Sequence, residues 1–372
     1  MKRIVAFYLP FTALLLGLPL AGVWLAGHDL APYLEFPPRT RHVEHAPFSW
    51  PVFIGLAVVI LAVMVPFIVR VARTNLLAWS RRAACDTGEC TAGGPPAPSF
   101  PLWGWIAVAS GVVSWLLAWT RFGWMEPFQR YTFTPQWIAY IVAVNALTYR
   151  RIGRCLLTHE TKFFLWLFPL SAVFWWFFEY LNRFVQNWWY TAGTGFSPLQ
   201  YFIAATLPFS TVLPAVLSTE EGLSAHPRTS AGLEFRTIVW CTRPKALAWA
   251  TLVVSAAGLF FIGRFPDYFF PLLWVAPLLL LIAFRTLQDR PPFFPELRRG
   301  DWRRVYRLAL AALICGFFWE LWNGHSLAKW IYEVPFVHRF QLFEMPLLGY
   351  AGYLPFGLEC AVIADLIRRK DP

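Results

Sequence analysis

Apolar runs of about 15–25 residues recur along the whole chain, and short polar segments separate them. Runs of this length are long enough for a helix to cross a hydrocarbon core of about 30 Å. The pattern predicts ten membrane-spanning helices, near residues 4–26, 51–69, 101–120, 135–149, 163–182, 199–218, 246–263, 269–284, 306–323 and 343–367. It therefore favours an all-α polytopic membrane protein with about ten transmembrane helices.

Part of this pattern occurs twice. When the sequence is shifted by 141 residues, 177–217 aligns with 318–358 without a gap and with 10 identities in 41 positions. The identical pairs are Phe177 and Phe318, Glu179 and Glu320, Asn182 and Asn323, Trp189 and Trp330, Gln200 and Gln341, Phe202 and Phe343, Leu207 and Leu348, Leu213 and Leu354, Pro214 and Pro355, and Leu217 and Leu358. An even number of spans in each copy gives both copies the same orientation, so the sequence predicts two tandem parallel four-helix repeats.

The segment 85–100 is rich in Gly, Pro and small residues, which is typical of a linker. It separates a predicted N-terminal two-helix hairpin, residues 1–84, from the duplicated part. The duplicated part then consists of repeat A, residues 101–225, and repeat B, residues 243–367, with a polar segment between them.

Composition and charge agree with a membrane location. The chain is 58% hydrophobic and 14% charged, whereas soluble domains carry about 25% charged residues. With both termini in the cytoplasm, 24 of the 32 Lys and Arg residues fall in inner segments, as the positive-inside rule requires. We therefore expect a multi-pass protein of a bacterial-type inner membrane, with the lipid bilayer as a partner. The net charge of +11 reports orientation and does not indicate nucleic-acid binding.

Two carboxylate–amide pairs stand out within the apolar runs. Glu179 and Asn182 are three residues apart and share a helix face, and so do Glu320 and Asn323. A carboxylate in such surroundings is costly unless it is paired, protonated or in contact with water. These four residues are therefore candidates for acid/base chemistry, with the Asn residues orienting the acids. The alternative is a hydrogen bond that joins helices.

Two further acids occur only in the second copy. Ile203 and Ser218 stand at the positions that correspond to Glu344 and Glu359. Glu344 is predicted at the outer mouth of the last span, at a depth similar to that of Glu320, which makes it a further catalytic candidate. Its alternative role is that of a favourable acid at a helix N-terminus. Glu359 is expected in the inner half of the same span.

Aromatic residues are unusually frequent, with 21 Trp and 35 Phe. A belt at the membrane surface explains many of them, but many others fall in the middle of spans. An aromatic-lined cavity suits a lipophilic, isoprenoid-like molecule, and its rings stabilise a carbocation. The candidate substrate-binding residues are Trp189, Trp330, Tyr332, Gln200, Gln341 and Glu359. No metal site is assigned, because neither a Glu-x-x-His pair nor a His-Glu-x-x-His motif is present, and the cofactor is left open.

Proline positions predict interrupted helices at corresponding places in the two copies. Pro208 and Pro214 fall in the last span of the first copy, and Pro346 and Pro355 in that of the second. Pro214 and Pro355 are predicted to remove backbone donors in mid-span. Paired interruptions of this kind are typical of binding sites in transporters, although structural kinks have the same signature.

The order of an acid-bearing helix, an outer segment with a W-x-Y pattern and a helix that opens on an acid beside proline resembles membrane carotenoid-cyclase domains. The resemblance covers about 30 residues. It departs from those domains at Phe343-Glu344-Met345-Pro346, which lacks their paired glutamates, and it assigns no family.

These patterns lead to one main functional hypothesis and two alternatives. The main one is a cavity open toward the outer leaflet, aromatic and carboxylate-bearing, that binds or acts on a lipophilic small molecule by acid/base chemistry. The first alternative is a secondary transporter in which Glu179 and Glu320 couple to protons and the interrupted helices act as gates. The second is a non-catalytic subunit whose aromatic surface contacts a membrane-protein partner.

Overall fold

A computed structural model describes residues 2–38, 42–85, 99–191, 195–237 and 244–368. It is 73% helical and contains almost no sheet. The helices are α1 (Lys2–Leu25), α2 (Ala31–Leu34), α3 (Trp50–Cys85), α4 (Leu102–Trp119), α5 (Phe133–Ile152), α6 (Leu156–His159), α7 (Thr161–Val185), α8 (Pro198–Phe209), α9 (Val212–Ser224), α10 (Pro244–Phe261), α11 (Pro266–Leu287), α12 (Arg303–Gly324) and α13 (Tyr353–Asp365). The strands are β1 (Trp188–Tyr190), β2 (Trp330–Tyr332), β3 (Gln341–Leu342) and β4 (Met345–Pro346).

Eight segments among the described residues have the length and hydropathy to cross a membrane. They are Trp50–Trp79, Leu102–Trp119, Thr161–Val185, Pro198–Ser224, Pro244–Phe261, Pro266–Leu287, Arg303–Gly324 and Leu347–Asp365. The chain is thus a helical, multi-pass membrane protein. The predicted number of ten spans is not confirmed. The fourth predicted span does not meet both requirements, and the part of the first span whose side chains are described, Pro10–Leu25, is shorter than the required length.

Both remaining predicted spans are present as helices. Helix α1 is 24 residues long, and its segment Pro10–Leu25, the part whose side chains the structure describes, is apolar. Helix α5 is 20 residues long, but it contains Gln136, Asn145 and Thr148, all of which are buried. Their side chains face protein instead of lipid, so a hydropathy average underestimates how well α5 suits the interior of a bundle.

Helix α13 lies at the centre of the bundle and contacts α7, α9, α11 and α12. Around it, α4 pairs with α5 and α10 pairs with α11, while α1 packs on α10 and α11. In α3 no described residue is buried. Most of the surface of this long apolar helix therefore faces away from the rest of the protein. Residues 86–98, which form most of the predicted linker, lie outside the described residues.

Both predicted interruptions occur, but they differ from mid-helix kinks. Helix α8 ends at Phe209 and α9 begins at Val212, and a 3₁₀ segment, Leu347–Gly352, ends where α13 begins. Pro214 and Pro355 are therefore the third residues of new helices. The prediction that they remove donors in mid-span is wrong, because the amides of a first helical turn have no intrahelical acceptor.

Ser171 of α7 satisfies the backbone at the first interruption. Its hydroxyl donates to the carbonyl oxygen of Phe209 at 2.6 Å and accepts from the amide of Leu213 at 3.1 Å. Ser171 is fully buried. The Ser171 side chain thus replaces the backbone hydrogen bonds that the interruption removes. Backbone groups inside a bilayer need such partners, because no water is present to bond them.

Candidate functional site

Strands β1 and β2 form a short antiparallel ribbon beyond the ends of α7 and α12. Trp188 lies opposite Tyr332, and Tyr190 lies opposite Trp330. Because successive side chains of a strand point to opposite faces, these four side chains share one face of the ribbon. Trp189 is on the other face.

Glu179 is held by one of its two oxygens. Its Oε1 accepts hydrogen bonds from the indole of Trp175 at 3.1 Å, the indole of Trp188 at 3.1 Å and the hydroxyl of Tyr190 at 2.5 Å. Trp175 is one turn earlier in α7, and the other two donors come from β1. The carboxyl group is 1% exposed, and its Oε2 has no hydrogen-bond partner among the described residues.

Glu320 is held in a similar way. Its Oε1 accepts from the hydroxyls of Tyr332 at 2.8 Å and Tyr353 at 2.7 Å. The indole of Trp330 donates to the Tyr332 oxygen at 2.8 Å. Glu320 is fully buried, and within the described part of the chain its Oε2 has no partner either.

The two carboxylates differ in two donors. The Trp188 indole bonds to Glu179 directly whereas the Trp330 indole bonds to Tyr332, and Trp175 has no counterpart on α12. Gly316 precedes Glu320 by four residues, as Trp175 precedes Glu179. A Cβ at Gly316 would lie 2.3 Å from the ring of Tyr353, so the missing side chain makes room for that ring. Glu320 thus receives a phenol from α13 where Glu179 receives an indole from its own helix.

Asn182 and Asn323 fix the ribbon and do not contact the carboxylates. The Asn182 amide donates to the carbonyl of Trp188 at 2.8 Å, and its oxygen accepts from the amide of Asn187 at 2.9 Å. The Asn323 amide donates to the carbonyl of Trp330 at 2.7 Å, and its oxygen accepts from the amide of that residue at 2.9 Å. Each Asn therefore ties its helix end to the strand that carries the aromatic donors.

These bonds correct the register of the sequence alignment. The gapless alignment matches Trp330 with Trp189, but Trp188 bonds to Asn182 as Trp330 bonds to Asn323. Six residues separate the first pair and seven separate the second. One extra residue after Asn323 therefore shifts the strand, and Trp189 points away from the carboxylate.

A cavity of about 160 Å³ lies beside the four ribbon side chains. Its wall is largely aromatic and includes Trp175, Trp188, Trp274, Trp319, Trp330 and Phe209. Tyr190, Tyr332 and Tyr353, the three phenols that donate to the carboxylates, also line it. For comparison, an apolar protein cavity of about 150 Å³ holds one benzene molecule.

The cavity wall carries protonated phenols next to the buried carboxyl groups and an exposed cationic side chain. Burial and the nearby carboxylates raise the pKa of the Tyr190 and Tyr332 phenols well above the usual range, so both stay protonated and can donate. The cationic side chain among the lining residues is that of Arg130, which is exposed and lies 5.4 Å from the centre of the Phe196 ring. The cavity is therefore apolar, with hydroxyl and indole donors directed at two buried carboxyl groups.

Glu344 is not among the residues that line this cavity. Glu344 lies in the two-residue turn between β3 and β4, and its Oε1 is 2.5 Å from the ammonium of Lys329. The predicted helix N-terminus at this position is wrong, because the helical segment begins only at Leu347.

Three of the candidate substrate-binding residues also lie outside the cavity wall. Gln200 caps the N-terminus of α8 through reciprocal bonds with Ser197. Gln341 is exposed in β3, with its amide nitrogen 3.0 Å from His338. Trp189 stacks edge-on against His42, with 6.4 Å between ring centres. Of the six candidates, Trp330 and Tyr332 are the ones that line the cavity.

Glu359 is fully buried in α13, away from the cavity wall. Both of its carboxyl oxygens lack a hydrogen-bond partner among the described residues. At the aligned position in α9, Ser218 accepts a bond from Asn145 at 2.8 Å. The acid Glu359 in α13 thus corresponds to Ser218 in α9, a small residue whose hydroxyl is hydrogen-bonded.

Four residues of the site were not predicted from the sequence: Trp175, Trp188, Tyr190 and Tyr353. The spacing of Trp175 from Glu179 places both on one helix face, and the W-x-Y spacing of β1 matches that of β2. These local signals were available. Nothing local connects Tyr353 with Glu320, since 33 residues separate them.

Among the described residues no group of three or more His, Cys, Asp or Glu side chains is arranged to hold a metal ion. Comparisons of the chain with protein-family models, with characterised proteins and with solved structures found no match. The site geometry therefore carries the functional argument.

Proposed function

We propose that this membrane protein binds a lipophilic, isoprenoid-like substrate in the aromatic cavity and acts on it by acid/base chemistry. One observation carries the proposal. The hydrogen-bond donors of two buried carboxyl groups are themselves part of the wall of a cavity that is otherwise apolar. Such a wall brings proton-transfer groups to a molecule whose hydrocarbon part fits the apolar cavity.

The size of the cavity indicates how such a substrate would sit. A volume of about 160 Å³ accepts a single ring-sized group, so one end of a longer molecule would enter and the remainder would stay in the lipid. Helix α8 separates the cavity from the surroundings. Ala204 and Ala205 of α8 line the cavity, while Leu199, Ile203 and Leu207 are at least half exposed on its other side.

In this proposal Glu320 is the acid/base, and Tyr332 and Tyr353 carry its effect to the cavity. A phenol donates and accepts at the same oxygen, so a proton can pass between Glu320 and a bound molecule through Tyr353. Glu179 would act in the same way through Tyr190. Glu344, whose charge Lys329 neutralises, would then not touch the substrate.

We further propose that the two segments descend from a tandem duplication and that the cavity faces the outer leaflet, with both termini in the cytoplasm. The matching bonds of Asn182 and Asn323 support the duplication. The distribution of basic residues supports the orientation. Reporters fused after Arg154 and Arg299 should give cytoplasmic signals, and a reporter at His338 should give an outer signal. Signals on opposite sides for Arg154 and Arg299 would contradict the parallel arrangement.

Extraction of the purified protein tests the binding proposal. A lipophilic molecule should co-purify with the wild type, and mass spectrometry of a solvent extract should detect it. The substitution Ala204→Phe should remove it by filling the cavity. The neighbouring Ile203→Phe adds the same ring on the exposed side of α8 and should retain it. Equal retention by both variants would place the molecule outside the cavity and contradict the proposal.

A second comparison tests the chemistry. Glu320→Gln keeps the shape and the ability to accept hydrogen bonds but cannot exchange a proton. The molecule extracted from this variant should differ from that of the wild type in mass or absorption spectrum, because the substrate accumulates unconverted. The same molecule in both extracts would leave binding intact and rule out acid/base conversion by Glu320.

A proton-coupled secondary transporter is the second candidate, and the two interrupted helices favour it. Pro208 and Val212 flank the break between α8 and α9, Tyr353 begins α13, and all three line the cavity. Broken helices at a central site are typical of transporters. Proteoliposomes with an internal pH indicator separate the two functions. A transporter acidifies or alkalinises the lumen when the extracted molecule is added, whereas an enzyme converts that molecule without such a change.

A further inference from the structure

No cationic side chain among the described residues lies within ion-pair distance of the two buried carboxyl groups beside the cavity, although Arg183 attracts Glu179 from one turn away. Neither Glu179 nor Glu320 forms an ion pair with a described side chain at the distances found elsewhere in the protein. Arg183 is one turn beyond Glu179, but its guanidinium donates to the carbonyls of Tyr33 and Glu35. A buried carboxylate is costly unless a positive charge lies nearby.

The hydrogen bonds leave one oxygen of each acid unused. Every donor to Glu179 and to Glu320 is directed at Oε1, and among the described residues no group contacts either Oε2. A protonated carboxyl group would normally donate its O–H to an acceptor. With the bonds in these directions every partner donates to Oε1 and no described group accepts from Oε2, an arrangement that suits the ionised form with a cation close by.

The cavity can supply the place for such a cation. Its indole and phenol rings present negative faces, which attract an organic cation within about 6 Å of the ring centre. Trp188, Trp319 and Trp330 approach from three different elements, and the phenols of Tyr332 and Tyr353 complete the enclosure. Boxes of this kind recognise alkylated ammonium groups, and the cavity volume of about 160 Å³ matches a compact head group.

We propose that the cavity is a binding site for a monovalent organic cation with an alkylated ammonium head, attracted by Glu179 and Glu320. The inference rests on the proposed function in so far as it uses the same cavity, and it adds positive charge to the features of the ligand. The ligand should carry no anionic group, because the two carboxylates beside the cavity would repel it. A zwitterionic lipid head group is therefore disfavoured relative to a free or alkyl-linked ammonium.

Calorimetric titration of the purified protein in neutral maltoside micelles tests the inference with two probes of the same shape. Choline carries a trimethylammonium group, and 3,3-dimethylbutan-1-ol carries a tert-butyl group in its place. Choline should bind at least roughly tenfold more tightly, a ratio that corresponds to about 1.4 kcal/mol. Phosphocholine, which stands for a lipid head group, should bind more weakly than choline.

Three substitutions connect the binding to the cavity. Glu320→Gln and Glu179→Gln should each reduce the preference for choline over the alcohol, and Ala204→Phe should abolish binding of both. Glu234→Gln alters an exposed acid that pairs with Arg303 at the opposite end of α12 and should leave binding unchanged. Because Ala204→Phe leaves both acids in place, the test does not depend on a single variant that may fold poorly.

The outcomes separate this inference from the proposed function. Equal affinity for choline and the alcohol overturns cation recognition and leaves lipophilic binding standing. Choline binding that survives Ala204→Phe and both Gln variants occurs elsewhere and overturns the inference too. If phosphocholine binds as tightly as choline, a lipid head group is the ligand and the proposed exclusion of anions is wrong. If neither choline nor the alcohol binds, cation recognition is overturned, and extraction of the native molecule decides the proposed function separately.

Discussion

The substitution Gly316→Ala tests whether Tyr353 needs the space that Gly316 leaves in α12. A Cβ at this position would lie 2.3, 2.4 and 2.7 Å from three carbons of the Tyr353 ring. Carbon atoms in contact are about 3.5–4.0 Å apart, so the ring has to move by roughly 1 Å. The ring is buried, and its hydroxyl, now 2.7 Å from Glu320, would move out of hydrogen-bond range.

The expected loss of stability combines three contributions. Overpacking of a core costs about 1–3 kcal/mol, and loss of a hydrogen bond to a charged group costs about 1.5–3 kcal/mol. Replacing a helical glycine returns about 1 kcal/mol through chain entropy. The net decrease in the free energy of unfolding of Gly316→Ala should therefore be about 2–5 kcal/mol, or roughly 4–10 °C in melting temperature.

Thermal unfolding of the purified protein in detergent measures this change, with Gly55→Ala as the matched control. Gly55 lies within α3 and has no atom within 4 Å of its ideal Cβ position, so its substitution should be neutral or slightly stabilising. The background Tyr353→Leu removes both the ring and its hydroxyl. In that background Gly316→Ala should cost much less. An equal cost with and without the ring, or no cost in the wild type, would refute this account of Gly316.

Three further substitutions test other parts of the site. Ser171→Ala leaves two backbone groups at the α8–α9 interruption without partners and should lower stability by about 2–4 kcal/mol in thermal unfolding; an unchanged melting temperature would mean that the interruption needs no side chain. Asn323→Leu should accelerate amide exchange at Trp330, and unchanged protection there would contradict the role of Asn323 in fixing the ribbon. Trp188→Phe removes a donor to a buried carboxyl group and should cost about 1.5–3 kcal/mol more than Trp189→Phe; equal costs would favour the register of the gapless alignment.

The sequence by itself determined the class of protein. Apolar runs long enough to span a bilayer are a local property, because a helix satisfies its own backbone whatever its neighbours are. For the same reason proline located both interruptions, Pro208 to Pro214 and Pro346 to Pro355, although not where each new helix begins. The spacing of Glu179 from Asn182 and of Glu320 from Asn323 was also readable, since helical periodicity is fixed.

The number of spans was harder to predict from the sequence, because a hydropathy average does not distinguish side chains that face lipid from side chains that face protein. Helix α5 carries Gln136, Asn145 and Thr148, and it depends on neighbouring helices to bury them. Only the packing decides whether such a helix belongs inside a bundle. Its lower hydropathy reflects protein contacts and is no sign of a different kind of segment.

The site itself depended on tertiary structure. A strand turns its side chains to alternate faces, so one extra residue after Asn323 exchanges Trp189 for Trp188 as the residue beside the carboxylate. Sequence identity cannot detect that exchange, because a tryptophan stands at both positions. Tyr353 reaches Glu320 only because α13 packs against α12 at Gly316. The chain thus specifies its acids and its aromatic residues locally, whereas the packing of distant helices decides which of them form one cavity.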